Sequence, residues 1–344
     1  MGIVQSAALA LLDSCRLPEP PTTRAEHGSY SIQGRKARDP LWPNQDACAY
    51  FELPGGQAGE DGTGAVPPLQ GFVLCDGHGP RGHLVAARCT EALPGHLEET
   101  RMGYHEAFRR MQRGLEGGEG GGGDVEARGL ACRSGTTCVV AALEGRRLTV
   151  ASVGDSLAVL ALRQGGGRYG ASVVSAKAHR PSRPDERRRI EAGGGRVGVT
   201  CDGPIGNGAQ AGPLRVWSST DEGGGGVGPA GVRMVGLAMT RSLGDVAHHR
   251  AGVTHEPELE SHILEEGDDF AIVASDGVWD VLSPKEAVGI VQRCALSMSR
   301  DNHYGWEADA AARHLCEAAR ERWEVLAPNH IDDITCTIIK LENR

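Results

Sequence analysis

Three short apolar runs, each abutting an aspartate, constrain the fold of this chain more than anything else in it. Phe72-Val73-Leu74-Cys75 runs straight into Asp76, Ala271-Ile272-Val273-Ala274-Ser275 runs into Asp276, and Asp332-Asp333 stands immediately before Ile334-Thr335-Cys336-Thr337-Ile338-Ile339. Runs this short and apolar read as strands buried in a core. Strand ends lie at a sheet edge, where side chains from several strands converge. The glycines after Asp76 and Asp276 let the backbone turn sharply and leave a carbonyl free as a ligand. Converging carboxylates repel one another, and a hard cation such as Mg²⁺ or Mn²⁺ relieves that repulsion. Taken singly, an Asp-Gly pair is also an ordinary turn after a strand. Taken together, three acids against three buried strands favour a metal centre.

The rest of the chain frames these runs. Residues 1–26 read as a tail with a Pro-rich stretch, and order is expected from about Gly28. Strands are expected at Ser29–Gln33, Ala47–Leu53, Gly71–Cys75, Ala158–Arg163, Asp269–Ala274 and Ile334–Leu341. Thr136–Leu143 and Leu148–Val153 read as a hairpin about Glu144-Gly145, followed by a turn at Gly154-Asp155-Ser156. Helical spacing covers Leu84–Leu97, Tyr104–Leu115, Pro184–Ala192, Pro284–Cys294 and Ala308–Arg322. Gly-rich insertions are expected near 54–70, 117–129 and 198–232, the last as an irregular, partly mobile excursion. Hairpins without a regular βαβ alternation suggest an α+β sandwich with antiparallel sheets.

Composition excludes some classes. With 40% hydrophobic but only 4% aromatic residues, aliphatic side chains must fill the core. The formal net charge is −9, with no long basic block, so no nucleic-acid partner is expected. Ten cysteines are scattered without a CxxC pair, which argues against structural zinc and for reduced thiols. No apolar stretch is long enough to span a bilayer. Gly2 after Met1, with Ser6, matches the myristoylation pattern, and Cys15 is a second anchor candidate. His179, His248 and His249 read as surface or loop histidines, Trp217 and Trp279 as packing residues, and Arg187 to Arg189 as a solvated helix face.

Around the three acids the sequence resembles the metal-dependent protein phosphatases, the PPM type or protein phosphatase type 2C. The resemblance is carried, in order, by Asn44-Gln45-Asp46, FVLCDGHGPRGH (Phe72 to His83), SGTT (Ser134 to Thr137) and SVGDSLAVL (Ser152 to Leu160). It continues through HRPSRPDERRRIEAGGGRV (His179 to Val197), GLAMTRSLGD (Gly236 to Asp245), VASDGVWDVLS (Val273 to Ser283) and DDIT (Asp332 to Thr335). Arg215-Val216-Trp217 ahead of the sixth of these motifs looks like the green-lineage branch.

The resemblance implies a four-layer αββα sandwich over residues 27–341 and hydrolysis of phosphoserine and phosphothreonine in proteins by a metal-activated water. It implies that Asp76 bridges two core Mg²⁺ or Mn²⁺ ions, that Gly77 ligates one through its carbonyl, and that Asp276 and Asp332 complete the core. Asp155 and Asp280 would serve a third, weaker ion. His78 matches the general acid, and Asp46 an acid that holds metal-bound water. Two positions depart from the pattern: Leu41 stands where the family commonly has a phosphate-gripping arginine, and Gln45 where many members have glutamate. Lys36 or Arg38 is expected to reach the phosphate instead. The rival readings are a catalytically weak pseudophosphatase and a membrane-associated phosphoprotein scaffold. A monomer in cytoplasm or nucleus is expected, with peripheral membrane attachment if Gly2 is acylated.

Overall fold

The computed structural model describes residues 24–36, 41–55, 67–117, 131–201, 211–217, 236–301 and 306–342. Gly2, Ser6, Cys15 and Arg38 lie outside them. In chain order the strands are β1 (Arg24–Ile32), β2 (Arg35–Lys36), β3 (Asp46–Leu53), β4 (Leu69–His78), β5 (Gly135–Thr136), β6 (Cys138–Glu144), β7 (Arg147–Val153) and β8 (Leu157–Gln164). They continue with β9 (Arg168–Val173), β10 (Arg196–Cys201), β11 (Ala211–Trp217), β12 (Leu243–Gly244), β13 (Glu258–Ile263), β14 (Asp268–Ala274), β15 (His330–Ile331) and β16 (Ile334–Glu342). The helices are α1 (Gly82–Glu99), α2 (Tyr104–Glu116), α3 (Pro184–Ala192), α4 (Val246–His249), α5 (Asp276–Trp279), α6 (Pro284–Asp301) and α7 (Ala308–Leu326). Among the described residues no helix is long and apolar enough to cross a membrane.

Two antiparallel sheets stack face to face. One has the order β1-β16-β14-β8-β9, and the other runs β12-β5-β4-β6-β7-β13 with β3 also on β4. Alternation along the strands explains why the apolar runs are unbroken. On β4, Phe72 and Leu74 point into the space between the sheets, with Val139, Ala141, Ala271, Val273 and Ile339. Val73 and Cys75 point the other way, onto Val85, Cys89 and Leu93 of α1 and Phe108 and Met111 of α2. On β14, Ala271 and Val273 face the other sheet, while Phe270, Ile272 and Ala274 meet α6 and α7. Each central strand is thus buried on both faces, and the layers are α, β, β, α.

Three expectations change. The fold begins inside the segment read as tail, because β1 starts at Arg24, Ala25 is buried, and the Ala25 N–H donates to Gln70 Oε1 at 2.9 Å. Likewise Leu69 and Gln70, placed in the insertion at 54–70, belong to β4. The excursion 198–232 is partly regular: β10 and β11 pair antiparallel, with Val197 opposite Val216 and a bulge near Cys201. Val197, Val216 and Leu237 pack with Ile190 of α3, and Trp217 is buried as a packing residue.

Gly28 of β1 sits against the backbone of α7, where an added Cβ would collide with Asp309 N and the Ala308 carbonyl carbon. Helix backbone cannot yield as a flexible side chain does. Gly28→Ala is therefore expected to lower stability by about 1–3 kcal/mol, read as a lower urea midpoint with an unchanged slope.

Candidate active site and its acidic cluster

The acids converge because of where the strands end. Asp46 and Asp76 stand directly opposite one another in the β3–β4 ladder. Beyond that pair β4 exchanges partners, so that Gly77 and His78 pair with Thr136 and Gly135 of β5, while the Gly77 N–H still donates to the Gln45 carbonyl at 3.1 Å. Asp276 opens the single turn α5 directly after β14, and Asp280 closes it. Asp332 lies between β15 and β16, and Asp155 lies in the turn from β7 to β8.

These carboxyls act on one another. Burial raises the pKa of Asp76 well above the usual carboxylate value, and the charges of Asp276, Asp46, Asp332 and Asp155 raise it further. Burial and the charges of Asp155, Asp332 and Asp280 do the same to Asp276, against a hydrogen bond with Asp76. Asp46 is pushed up to about 7, mainly by burial, with Asp333 and Asp332 adding to it and hydrogen bonds from Thr335 and Ser275 opposing it. Asp46 Oδ2 accepts from Ser275 Oγ at 2.9 Å, but its Oδ1 is buried without a hydrogen-bond partner. Asp155 Oδ1 is buried and unpartnered too. Facing acids with orphaned oxygens form an all-oxygen donor set that suits a hard divalent cation. Asp76, Asp276, Asp332 and Asp155 thus offer oxygens of the kind a hard cation takes, and Asp46 adds a buried oxygen with no partner in the protein.

Asp280 differs. Arg180 reaches across, with Nε 3.1 Å from Asp155 Oδ2 and Nη2 2.8 Å from Asp280 Oδ1. The chain's own guanidinium thus lies between the two acids that the resemblance assigns to a third ion.

Gly77 has no room for a side chain, since a Cβ would lie 2.5 Å from the Gly82 carbonyl and 2.6 Å from the Gln45 carbonyl. Gln45 is buried and spends its amide on the next turn, donating from Nε2 to the Gly79 carbonyl at 2.8 Å. Asp333 holds the same corner, accepting from the Gly34 N–H at 2.7 Å and the Gln45 N–H at 2.9 Å. Lys36 meets the cluster from β2, with Nζ 2.7 Å from Asp332 Oδ1. Leu41 is 89% exposed, and its side chain offers nothing to an anion.

His78 has a partner that sequence reasoning missed. Its Nε2 lies 2.6 Å from Asp245 Oδ2, which also accepts from Ser242 Oγ at 2.6 Å. Burial disfavours the imidazolium, but the Asp245 charge and hydrogen bond outweigh it and raise the His78 pKa. Asp245 adopts left-handed backbone geometry, φ 45°, and Gly135 makes the space, since a side chain there would strike both the Asp245 carboxylate and the His78 ring. Asp245 ends GLAMTRSLGD, so its motif was visible while its contact was not.

Two bland readings also change. His179 is fully buried, with Nδ1 2.9 Å from the Gly154 carbonyl, and burial lowers its pKa to about 4. Arg189 is no solvated residue: it grips Glu186 and the Thr240 and Gly252 carbonyls. Among the described residues, Asp185, Glu186 and Glu258 are the one group of acids whose ligand oxygens all lie within 4.8 Å of one another; Asp76, Asp276 and Asp332 are not drawn together that tightly. Arg183, Arg189 and Arg241 already neutralise the Asp185, Glu186 and Glu258 group, so that cluster is a structural ion-pair network.

Known proteins decide the family. The family described as "Protein phosphatase 2C" matches over residues 123–324. The chain belongs to the protein phosphatase 2C family. It is 34% identical over 330 residues to "Probable protein phosphatase 2C 64" of Oryza sativa subsp. japonica, covering 92% of this chain and 65% of the relative. With "Probable protein phosphatase 2C 61" of Arabidopsis thaliana it shares 31% identity over 285 residues, 79% of this chain and 76% of the relative. The chain spans 65% and 54% of the length of two rice relatives that it matches. Of solved structures, the serine-threonine phosphatase 2C from Toxoplasma gondii superposes with a TM-score of 0.65 at 15% identity, covering 94% of this chain and 98% of that one. That likeness supports the αββα architecture. These relatives place the chain in a plant-like branch of the family.

The raised carboxyl pKa values carry a sign. In the cation-free protein Asp46, Asp76 and Asp276 hold protons more tightly folded than unfolded. Their stabilising contribution is full below the unfolded pKa of about 4 and is lost as pH rises through the raised folded values, about 7 for Asp46. In EDTA the melting temperature is expected to fall between pH 5.5 and pH 8. Millimolar Mn²⁺ should restore it at pH 8, and Asp76→Asn should remove most of that metal-dependent rise. A melting temperature in EDTA that rises over this range would contradict the cluster's electrostatics.

Proposed function

We propose that the protein is a Mg²⁺- or Mn²⁺-dependent phosphatase acting on phosphoserine and phosphothreonine in proteins. The observation that carries this reading is the set of buried and half-buried carboxyls that raise one another's pKa, with unpartnered oxygens on Asp46 and Asp155, and with His78 on the same strand that supplies Asp76. Divalent cations held there would supply Lewis acidity that makes water nucleophilic near neutrality and offsets phosphoryl charge.

The chain's own groups do the rest. Asp76, Asp276 and Asp332 would hold the cations, and Asp46 would orient the attacking water through its free Oδ1. Asp46 and Asp332 also engage Ser275 and Lys36, which fixes their orientation. Lys36 is the cation best placed to meet a phosphoryl oxygen, because its strand delivers it to the Asp332 carboxylate. His78, held protonated by Asp245, donates to the departing serine or threonine oxygen. Uncatalysed phosphate-monoester hydrolysis is among the slowest reactions known, so charge stabilisation on this scale is what the chemistry requires. Survival of the full acidic set favours an active enzyme over a pseudophosphatase.

The test is hydrolysis of a phosphothreonine peptide with Mn²⁺, with EDTA, and by variants. Asp76→Asn and EDTA should each abolish turnover, and His78→Gln should lower kcat by about 100-fold or more. A general acid works only while protonated, so the rate should fall as pH rises through the His78 pKa. Asp245→Asn removes what raises that pKa, so the fall should move to lower pH. Metal-independent turnover, or an unmoved alkaline limb in Asp245→Asn, would refute the respective assignment.

A further inference from the structure

Beside His78 lies a cavity of about 390 Å³ that the chemistry above does not use. One wall is Trp42, another is Gly79 and Pro80 from the turn after β4, and a third is Leu237, Ala238 and Met239. Arg133 and Arg215 also line it, with Asp245 and His248 near the His78 end. The third wall belongs to the segment that bridges to β11 through the reciprocal Val216–Leu237 hydrogen bonds, so the two-stranded ribbon positions it.

Three observations say what this cavity accepts. Its walls are largely hydrocarbon, so it favours an apolar side chain over water. Its charges are cationic at the rim, in a chain whose net charge is −9. Asp245 is committed to His78 and Ser242, and no described carboxylate pairs with the exposed Arg133. Arg81 is held nearby, its N–H donating to Ser134 Oγ at 3.0 Å. Finally, Trp42 Nε1 is buried without an acceptor, a donor that a peptide carbonyl would satisfy. The position matters as much. His78 faces the leaving oxygen, so a neighbour of the phosphorylated residue lies within reach of this cavity.

We propose that this cavity is a substrate subsite for a large apolar side chain next to the phosphorylated residue, in a peptide that carries an acidic residue for Arg133. The proposal rests on the phosphatase reading and names the substrate class for that site.

The experiment reads preferences within one protein, so a loss of turnover common to all substrates cancels. Phosphothreonine peptides carry leucine or serine at one flanking position at a time, in acidic and basic versions. The wild-type protein with Mn²⁺ should prefer leucine by about 10-fold in kcat/KM at one flanking position, and the acidic over the basic series. Ala238→Phe fills the cavity and should erase the leucine preference. Arg133→Glu, at an exposed position that does not endanger folding, should reverse the acidic preference while leaving the leucine preference in place. Equal ratios in wild type and both variants would overturn the proposal. Fluorescence anisotropy of the same labelled peptides in EDTA gives the ratios from affinity alone. If Mn²⁺ yields no turnover the phosphatase reading fails, and the anisotropy ratios then decide the pocket by themselves. A wild-type protein that becomes selective only after removal of residues 1–23 would give the cavity to the chain's own N-terminal segment, and would also overturn the proposal.

Discussion

Repulsion among carboxylates is the constraint around which this molecule is organised. Asp46 and Asp76 are cross-strand neighbours, an arrangement that destabilises a sheet when both are charged. Asp276, Asp332 and Asp155 add to it from three other strand ends. The opposing force is aliphatic burial. Phe72, Leu74, Val273 and Ile339 are buried between the sheets, and each contributes roughly 1.5–3 kcal/mol relative to an exposed side chain. The site does not assemble itself. The sandwich assembles it, and the bond that would stabilise it is left to the cation.

Positive charge built into the chain is arranged to complement this. Lys36 lies on Asp332, and Arg180 spans Asp155 and Asp280. His78 is turned toward Asp245, on the far side of Gly135. The consequence is a division into an acidic half and a half built on the His78–Asp245 pair. Both are reached from one strand, because Asp76 and His78 are two residues apart and so share a face of β4. The cavity lined by Trp42 and Met239 adjoins the His78–Asp245 half.

What could be read in the chain follows from how each feature is encoded. The central strands β4, β14 and β16 were legible because burial on both faces leaves an unbroken aliphatic run. The acids were legible because they sit where those runs stop. The edge strands β9 and β13 were not, since RYGASV and ELESHI are largely half-buried or exposed and carry no clean period. The β10–β11 ribbon was hidden by glycines on either side of its Val197 and Val216 alternation. The contacts of Asp245, Arg180 and Asp333 were invisible for another reason. Each joins residues brought together only by the fold: Asp245 is 167 positions from His78, and Asp333 is 288 from Gln45. His179 was misread because a histidine next to arginines and prolines looks exposed until the β7–β8 turn closes over it.

The exchange of partners along β4 has a consequence for how this protein can vary. In a strand, a slip of one residue exchanges the two faces. Here it would carry Cys75 or Gly77 to the place of Asp76, and would move His78 with it. The site is therefore written as a register, and the residues that hold the register do so from a distance. Phe51 against Gly71, or Leu74 opposite Val139, never approaches a phosphate, yet each guards the position of Asp76 as directly as Gln45 does. A change at the surface leaves this register alone, whereas a change in the pleat of this one strand displaces the aspartate and the histidine it carries.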